Sequence, residues 1–138
     1  MKFLFSTSPQ SDDHVCNDCN IADEYNHNAL KSKQSGVWYY QFNWDKGPAP
    51  WNDVYGAAHA FDLPFLFGNF GPSLFGNVIG GNANKGGRLA LSNAMMKSLA
   101  AFARNGDPND PVLGVTWPAW SKKLVFDATL TDKSVSVP

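Results

Sequence analysis

The sequence predicts an α/β fold, an incomplete sheet with flanking helices, and three observations carry that prediction. Residues 37–44 read Val-Trp-Tyr-Tyr-Gln-Phe-Asn-Trp, nearly all aromatic or β-branched. Both faces are apolar over the first four residues, which suits a strand covered on both sides. Leu91, Met95, Leu99 and Phe102 then recur at i, i+4, i+8 and i+11, the apolar stripe of a helix over 89–105. Leu124-Val125-Phe126 reads as a second short strand after that helix, so strand and helix alternate.

The remaining elements follow in chain order. Residues 1–13 are polar and irregular and read as a flexible terminus. Residues 17–33 are a modest helix candidate, with Cys19, Ala22, Tyr25 and Ala29 on one face. Lys31 and Lys33 fall in its last turn, where a cation favours the helix dipole, and Gly36 stops it. After the 37–44 strand, Gly47, Pro48 and Pro50 predict a long non-helical passage. A second apolar stretch, punctuated by Gly and Pro, runs over 55–75. Gly80-Gly81 and Gly86-Gly87 predict another loop before the 89–105 helix. Gly106 and Pro108 end that helix in the usual order. Trp117-Pro118-Ala119-Trp120 reads as a rigid turn, and 128–138 as a polar tail. No internal repeat or linker divides the chain.

Composition narrows the function classes. Of 138 residues, 43% are apolar, with ten Phe, five Trp and four Tyr, enough for a core. Only 17% are charged, against a norm of roughly 25%. A small free-standing domain has a high surface-to-volume ratio and should be more charged, not less. The deficit points to surface that something else covers. Net charge is −1 and no basic patch stands out, which argues against a nucleic-acid partner. No apolar run approaches the ~20 residues needed to cross a bilayer, so no membrane partner is expected. The start, Met1-Lys2-Phe3-Leu4-Phe5, falls short of the ~7–15 apolar residues of a signal peptide, and the compartment stays open. The two cysteines form a C-x-x-C, Cys16 and Cys19, with His14 and His27 near enough in sequence to suggest a metal site. A zinc site of this kind normally has a second spaced pair, and a redox motif needs a βαβ context. The plainer reading is two small side chains near a helix start.

Catalytic motifs are mostly missing from these residues. There is no G-x-S-x-G, no P-loop, no dinucleotide fingerprint and no H-E-x-x-H. Gly71-Pro72-Ser73-Leu74-Phe75-Gly76 has the wrong spacing, and Pro72 would hinder the strained turn of a nucleophile elbow, so Ser73 is not read as a nucleophile. The exception is His59, set among small residues in Tyr55-Gly56-Ala57-Ala58-His59-Ala60-Phe61-Asp62 after the apolar strand. Small neighbours let an imidazole approach a partner closely. A lone loop histidine can equally be structural.

The segment His59-Ala60-Phe61-Asp62-Leu63-Pro64-Phe65-Leu66-Phe67-Gly68 resembles the histidine motif of the type-B carboxylesterases and cholinesterases, roughly H-[GA]-[YF]-[ED]-[IL]-x-[FY]-x-F-G. The resemblance continues in Leu91-Ser92, Met95 and Phe102-Ala103-Arg104-Asn105-Gly106-Asp107-Pro108-Asn109. Trp117-Pro118 and Leu124-Val125-Phe126-Asp127 extend it further. Upstream, Val37-Trp38-Tyr39-Tyr40-Gln41-Phe42 looks like the strand before the histidine. It covers residues 35–127, leaving 1–34 as a poorly matched segment and 128–138 as a tail.

The resemblance implies the C-terminal part of an α/β-hydrolase fold and a serine ester hydrolase in which His59 is the general base and acid. The serine, the acid that orients the imidazole, and the oxyanion hole would lie outside these residues. Asp62 is three residues from His59 and Asp53 six, but the family position of Asp62 is structural, holding the loop by hydrogen bonds. Phe61 and Trp51 are the candidate substrate-lining residues, with core packing as the plainer alternative. No metal or cofactor is implied, because this chemistry needs neither. The expected substrate is a small carboxylic ester, and the expected partner is an N-terminal half of the same enzyme. The isolated chain is expected to be inactive. A non-catalytic esterase-like binding module and a non-functional truncated product are the competing readings.

Overall fold

A computed structural model describes residues 4–7, 28–34, 36–119 and 122–138. Four strands form one sheet in the order β1 (Leu4–Thr7), β2 (Tyr39–Phe42), β3 (Leu124–Ala128) and β4 (Lys133–Ser136). The first three are parallel, and β4 lies antiparallel to β3. Parallel neighbours need a crossover. Between β2 and β3 it is made by four helices: α1 (Trp51–Tyr55), α2 (Leu63–Phe67), α3 (Leu74–Ile79) and α4 (Lys85–Asn105). The α/β architecture and both expected strands are present. Of the expected 17–33 helix, residues 28–31 are helical and 32–33 form a turn, while 17–27 lie outside the described residues, as do His14, Cys16, Cys19 and His27.

β2 is shorter than the aromatic run suggested, and its two faces differ. Tyr40 and Phe42 are buried, while Tyr39 and Gln41 are half-buried. The ladder to β1 runs over all of β2, from Leu4↔Tyr39 to Thr7↔Phe42, and that to β3 from Tyr40↔Leu124 to Phe42↔Phe126. Tyr40, Phe42, Leu124, Phe126 and Ala128 line one face, against Leu91, Ala94, Met95 and Phe102 of α4. Tyr40, Trp117 and Phe126 meet edge to face, with ring centroids 5.4–6.2 Å apart. Such pairs add to the area they bury.

Four expectations are corrected. Residues 4–7, expected to lie in an irregular terminus, form β1 and pair in parallel with β2. The passage expected to be non-helical holds α1, α2 and α3, of five, five and six residues. Helices this short show no 3.6-residue period, and the Gly and Pro residues that read as breakers sit at their ends. Pro50 and Gly56 flank α1, Pro64 lies in the first turn of α2, and Gly68 closes it in the left-handed conformation. Next, Gly86-Gly87 is not loop but the first turn of α4. A Cβ on Gly87 would stand 1.8 Å from the Thr129 carbonyl oxygen, and one on Gly86 2.8 Å from that of Thr131. Those glycines let the helix start lie against the β3–β4 turn. Finally, 128–138 is not a trailing tail. Thr129 Oγ1 accepts from Asp132 N and Thr131 N, which closes the turn into β4. Val135 and Val137 then pack on the core from alternate positions.

The 89–105 helix is borne out, with four further residues at its start. Leu91, Met95 and Phe102 are buried, and Leu99 packs partly buried beside them. Gly106 ends it in the left-handed conformation, donating to Phe102 O. Ser98 Oγ then holds the Pro108 carbonyl at 2.7 Å. Asn109 fixes the exit by accepting from Trp117 N and donating to Trp117 O.

Candidate active site around His59

His59 stands in the turn between α1 and α2. Gly56 has φ 50° and Ala60 φ 68°, so the backbone enters the left-handed region on both sides of the histidine. Gly56 does so without penalty, whereas Ala60 bears roughly 1–2 kcal/mol for the same conformation. Two hydrogen bonds of 3.2 Å, Phe61 N to Ala58 O and Leu63 N to Ala60 O, close successive four-residue turns over residues 58–63. The result exposes the His59 side chain while Ala57, Phe61 and Asp62 on either side are buried. Among the described residues nothing is hydrogen-bonded to the imidazole.

Asp62 occupies the N-cap position of α2 but does not cap it. Its buried carboxylate accepts a 2.9 Å hydrogen bond from the Tyr40 hydroxyl on β2. Burial, followed by the charge of Asp62 and this hydrogen bond, pushes the Tyr40 phenol well above the ordinary tyrosine range. Tyr40 therefore remains a proton donor. Asp62 is turned toward the sheet and forms no pair with His59, in keeping with a loop-holding role. Asp53, the other nearby acid, is exposed on α1 and accepts from Asn52 Nδ2.

Phe61 packs between Tyr55 and Phe75, each ring centroid 5.8 Å away, so it ties the histidine loop to α1 and α3. Trp51 is 40% exposed and stacks on Tyr55 at 5.9 Å. His59, Phe61 and Trp51 are thus linked through Tyr55 and the loop, with Phe61 inside the core and Trp51 at its edge. Below them, Phe65 contacts Phe42, Trp44 and Phe70, and its carbonyl accepts from Ser92 Oγ of α4 at 2.8 Å. Ser73 is an exposed N-cap: its Oγ accepts from Gly76 N at 2.9 Å, an ordinary helix start with no elbow.

Two contributors were not singled out from sequence. Tyr40 lay hidden in an aromatic strand that reads as core, because nothing in a hydrophobic pattern shows where a phenolic oxygen ends. Arg88, buried in α4, lies over the Phe70 ring at 4.7 Å, and burial lowers its pKa. Its only sequence signal was an arginine in the first turns of an otherwise small and apolar helix face.

The family model described as "Carboxylesterase family" matches residues 11–136. Over 108 residues the chain is 30% identical to the para-nitrobenzyl esterase of Bacillus subtilis (strain 168), covering 75% of this chain and 20% of the relative. A solved PNB esterase structure superposes with a TM-score of 0.53 at 26% identity, covering 73% of this chain and 19% of that one. An esterase from the anaerobe Clostridium hathewayi that can hydrolyze aliphatic aromatic polyesters superposes with a TM-score of 0.61 over 84% of this chain and 21% of that one. At 21% identity that likeness concerns the fold. The chain spans about a fifth of the length of these relatives. Its sheet and flanking helices are a portion of an α/β-hydrolase fold, and the chain belongs to the carboxylesterase family.

Proposed function

We propose that this chain supplies the histidine of a serine carboxylic ester hydrolase, with His59 as general base and then general acid. The observation that carries the reading is the placement of the His59–Gly68 motif. Its histidine is exposed at a doubly left-handed turn, while the neighbouring acid is committed to the sheet. A serine hydrolase needs an imidazole that can take the serine proton and return it to the leaving alcohol. The 138 residues contain no G-x-S-x-G, so the nucleophile, the orienting acid and the oxyanion hole come from esterase sequence beyond them. That N-terminal portion is the proposed partner. The exposed apolar side chains Val54, Leu63, Phe67 and Leu74 on α1–α3 are surface for it to cover. Phe61 and Trp51 would flank the bound ester, Phe61 by shaping the loop and Trp51 by its open ring face. The substrate is a small carboxylic ester, for which a para-nitrobenzyl ester is the natural first probe given the relative's name.

The test is a chimera in which this chain replaces the matching segment of the Bacillus subtilis esterase. The chimera should hydrolyse a para-nitrobenzyl ester, and His59→Ala should lower kcat by on the order of 10⁶-fold, as loss of a triad histidine does. A chimera whose turnover survives His59→Ala would remove the catalytic role.

A further inference from the structure

We infer that Tyr40 is a positioning residue for His59, acting through Asp62. The inference rests on the catalytic reading of His59 and adds to it the element that sets where the imidazole stands. β2 is an interior strand, paired on one side with β1 and on the other with β3. Tyr40 is anchored there among Trp117 and Phe126, and its hydroxyl donates to the buried Asp62 carboxylate at 2.9 Å.

Asp62 is three residues beyond His59, and the backbone between them holds the left-handed Ala60 and the two tight turns. Among the described residues His59 has no side-chain anchor of its own, so its place depends on the backbone of 58–62. That backbone is held at its far end by two side chains, Phe61 by packing and Asp62 by a directed bond. Packing alone fixes depth. A hydrogen bond to a buried carboxylate also fixes direction, and a misplacement of about 1 Å at a reacting group costs roughly 10²-fold in rate. The geometry excludes the simpler role for Asp62: an acid at this position ordinarily caps its helix, and this one does not.

The test uses the ¹⁵N-labelled 138-residue chain. The His59 imidazole signals are identified by their loss in His59→Ala. Three variants are compared below their melting temperatures: Asp62→Asn, which still offers an acceptor to Tyr40; Tyr40→Phe; and Tyr40→Phe with Asp62→Leu, which removes both polar partners and so leaves no unpaired buried charge. Asp62→Asn should keep the His59 ring signals and the amides of residues 58–61 close to the parent. Tyr40→Phe and the double variant should shift both sets and speed amide exchange at Phe61 and Leu63 at least about tenfold. If Tyr40→Phe fails to fold, the double variant decides. A folded Tyr40→Phe or double variant with parental His59 and amide signals overturns the inference, even if its melting temperature falls. In the chimera, Tyr40→Phe should lower kcat roughly 10–100-fold with little change in KM. Should the imidazole move while turnover ignores His59, the catalytic assignment fails and the positioning stands.

Discussion

Ala60 carries the local strain of the histidine turn, at φ 68° with a Cβ that disfavours it. Replacing it with glycine relieves roughly 1–2 kcal/mol of left-handed strain but adds roughly 0.5–1 kcal/mol of unfolded-state entropy. Ala60→Gly should therefore stabilise the chain by up to about 1.5 kcal/mol in a urea unfolding experiment. A second residue-scale consequence concerns Tyr40. Its folded-state pKa is raised, so above about pH 10, the ordinary tyrosine value, the unfolded chain releases a phenolic proton that the folded chain keeps. The stability contributed by that bound proton is complete below pH ~10 and is lost as pH rises beyond it. Unfolding free energies measured from pH 9 to about 12 should fall for the parent and fall less steeply for Tyr40→Phe. At this scale one motif singled out both His59 and Asp62, and Asp62 makes a structural hydrogen bond as expected. It did not show Tyr40 as the partner 22 positions away, because that contact depends on the fold bringing β2 beneath α2.

The elements divide by the physics that specifies them. The long helix and the strands β2 and β3 were legible because repeated apolar positions announce a buried face. The short helices α1–α3 were not, since five or six residues hold no period and their Gly and Pro caps read as breakers. The start of α4 was misplaced for a related reason. Helix propensity alone favours alanine over glycine by about 0.8–1 kcal/mol, so Gly86-Gly87 read as loop. Tertiary crowding decides otherwise, because the added Cβ of Gly87→Ala would stand 1.8 Å from Thr129 O. Overpacking of that kind costs about 1–3 kcal/mol or more and outweighs the propensity gain. Gly87→Ala should therefore destabilise the chain, by about 1–2 kcal/mol net in chemical denaturation, and faster amide exchange should appear first in β4. The β4 hairpin was missed because Lys-Ser-Val-Ser-Val alternates over only a few positions at the end of a polar stretch.

Across the whole molecule, low charge content and exposed apolar side chains tell one story. Phe67 is 69% exposed and Leu74 80%, on the short helices α2 and α3. The relatives are about four times as long as this chain, and their matched segment accounts for about a fifth of each. The described residues hold a four-stranded sheet, the turn that carries His59 and the Tyr40–Asp62 hydrogen bond, with Ser73 committed to a helix cap. The central claim is that these residues present a catalytic histidine but no nucleophile. The direct measurement is hydrolysis of a short-chain nitrophenyl ester by the purified chain beside His59→Ala and Ser73→Ala. The account predicts one rate for all three, equal to that of buffer. Clear turnover by the parent that vanishes in His59→Ala would contradict it and place a working nucleophile within these 138 residues.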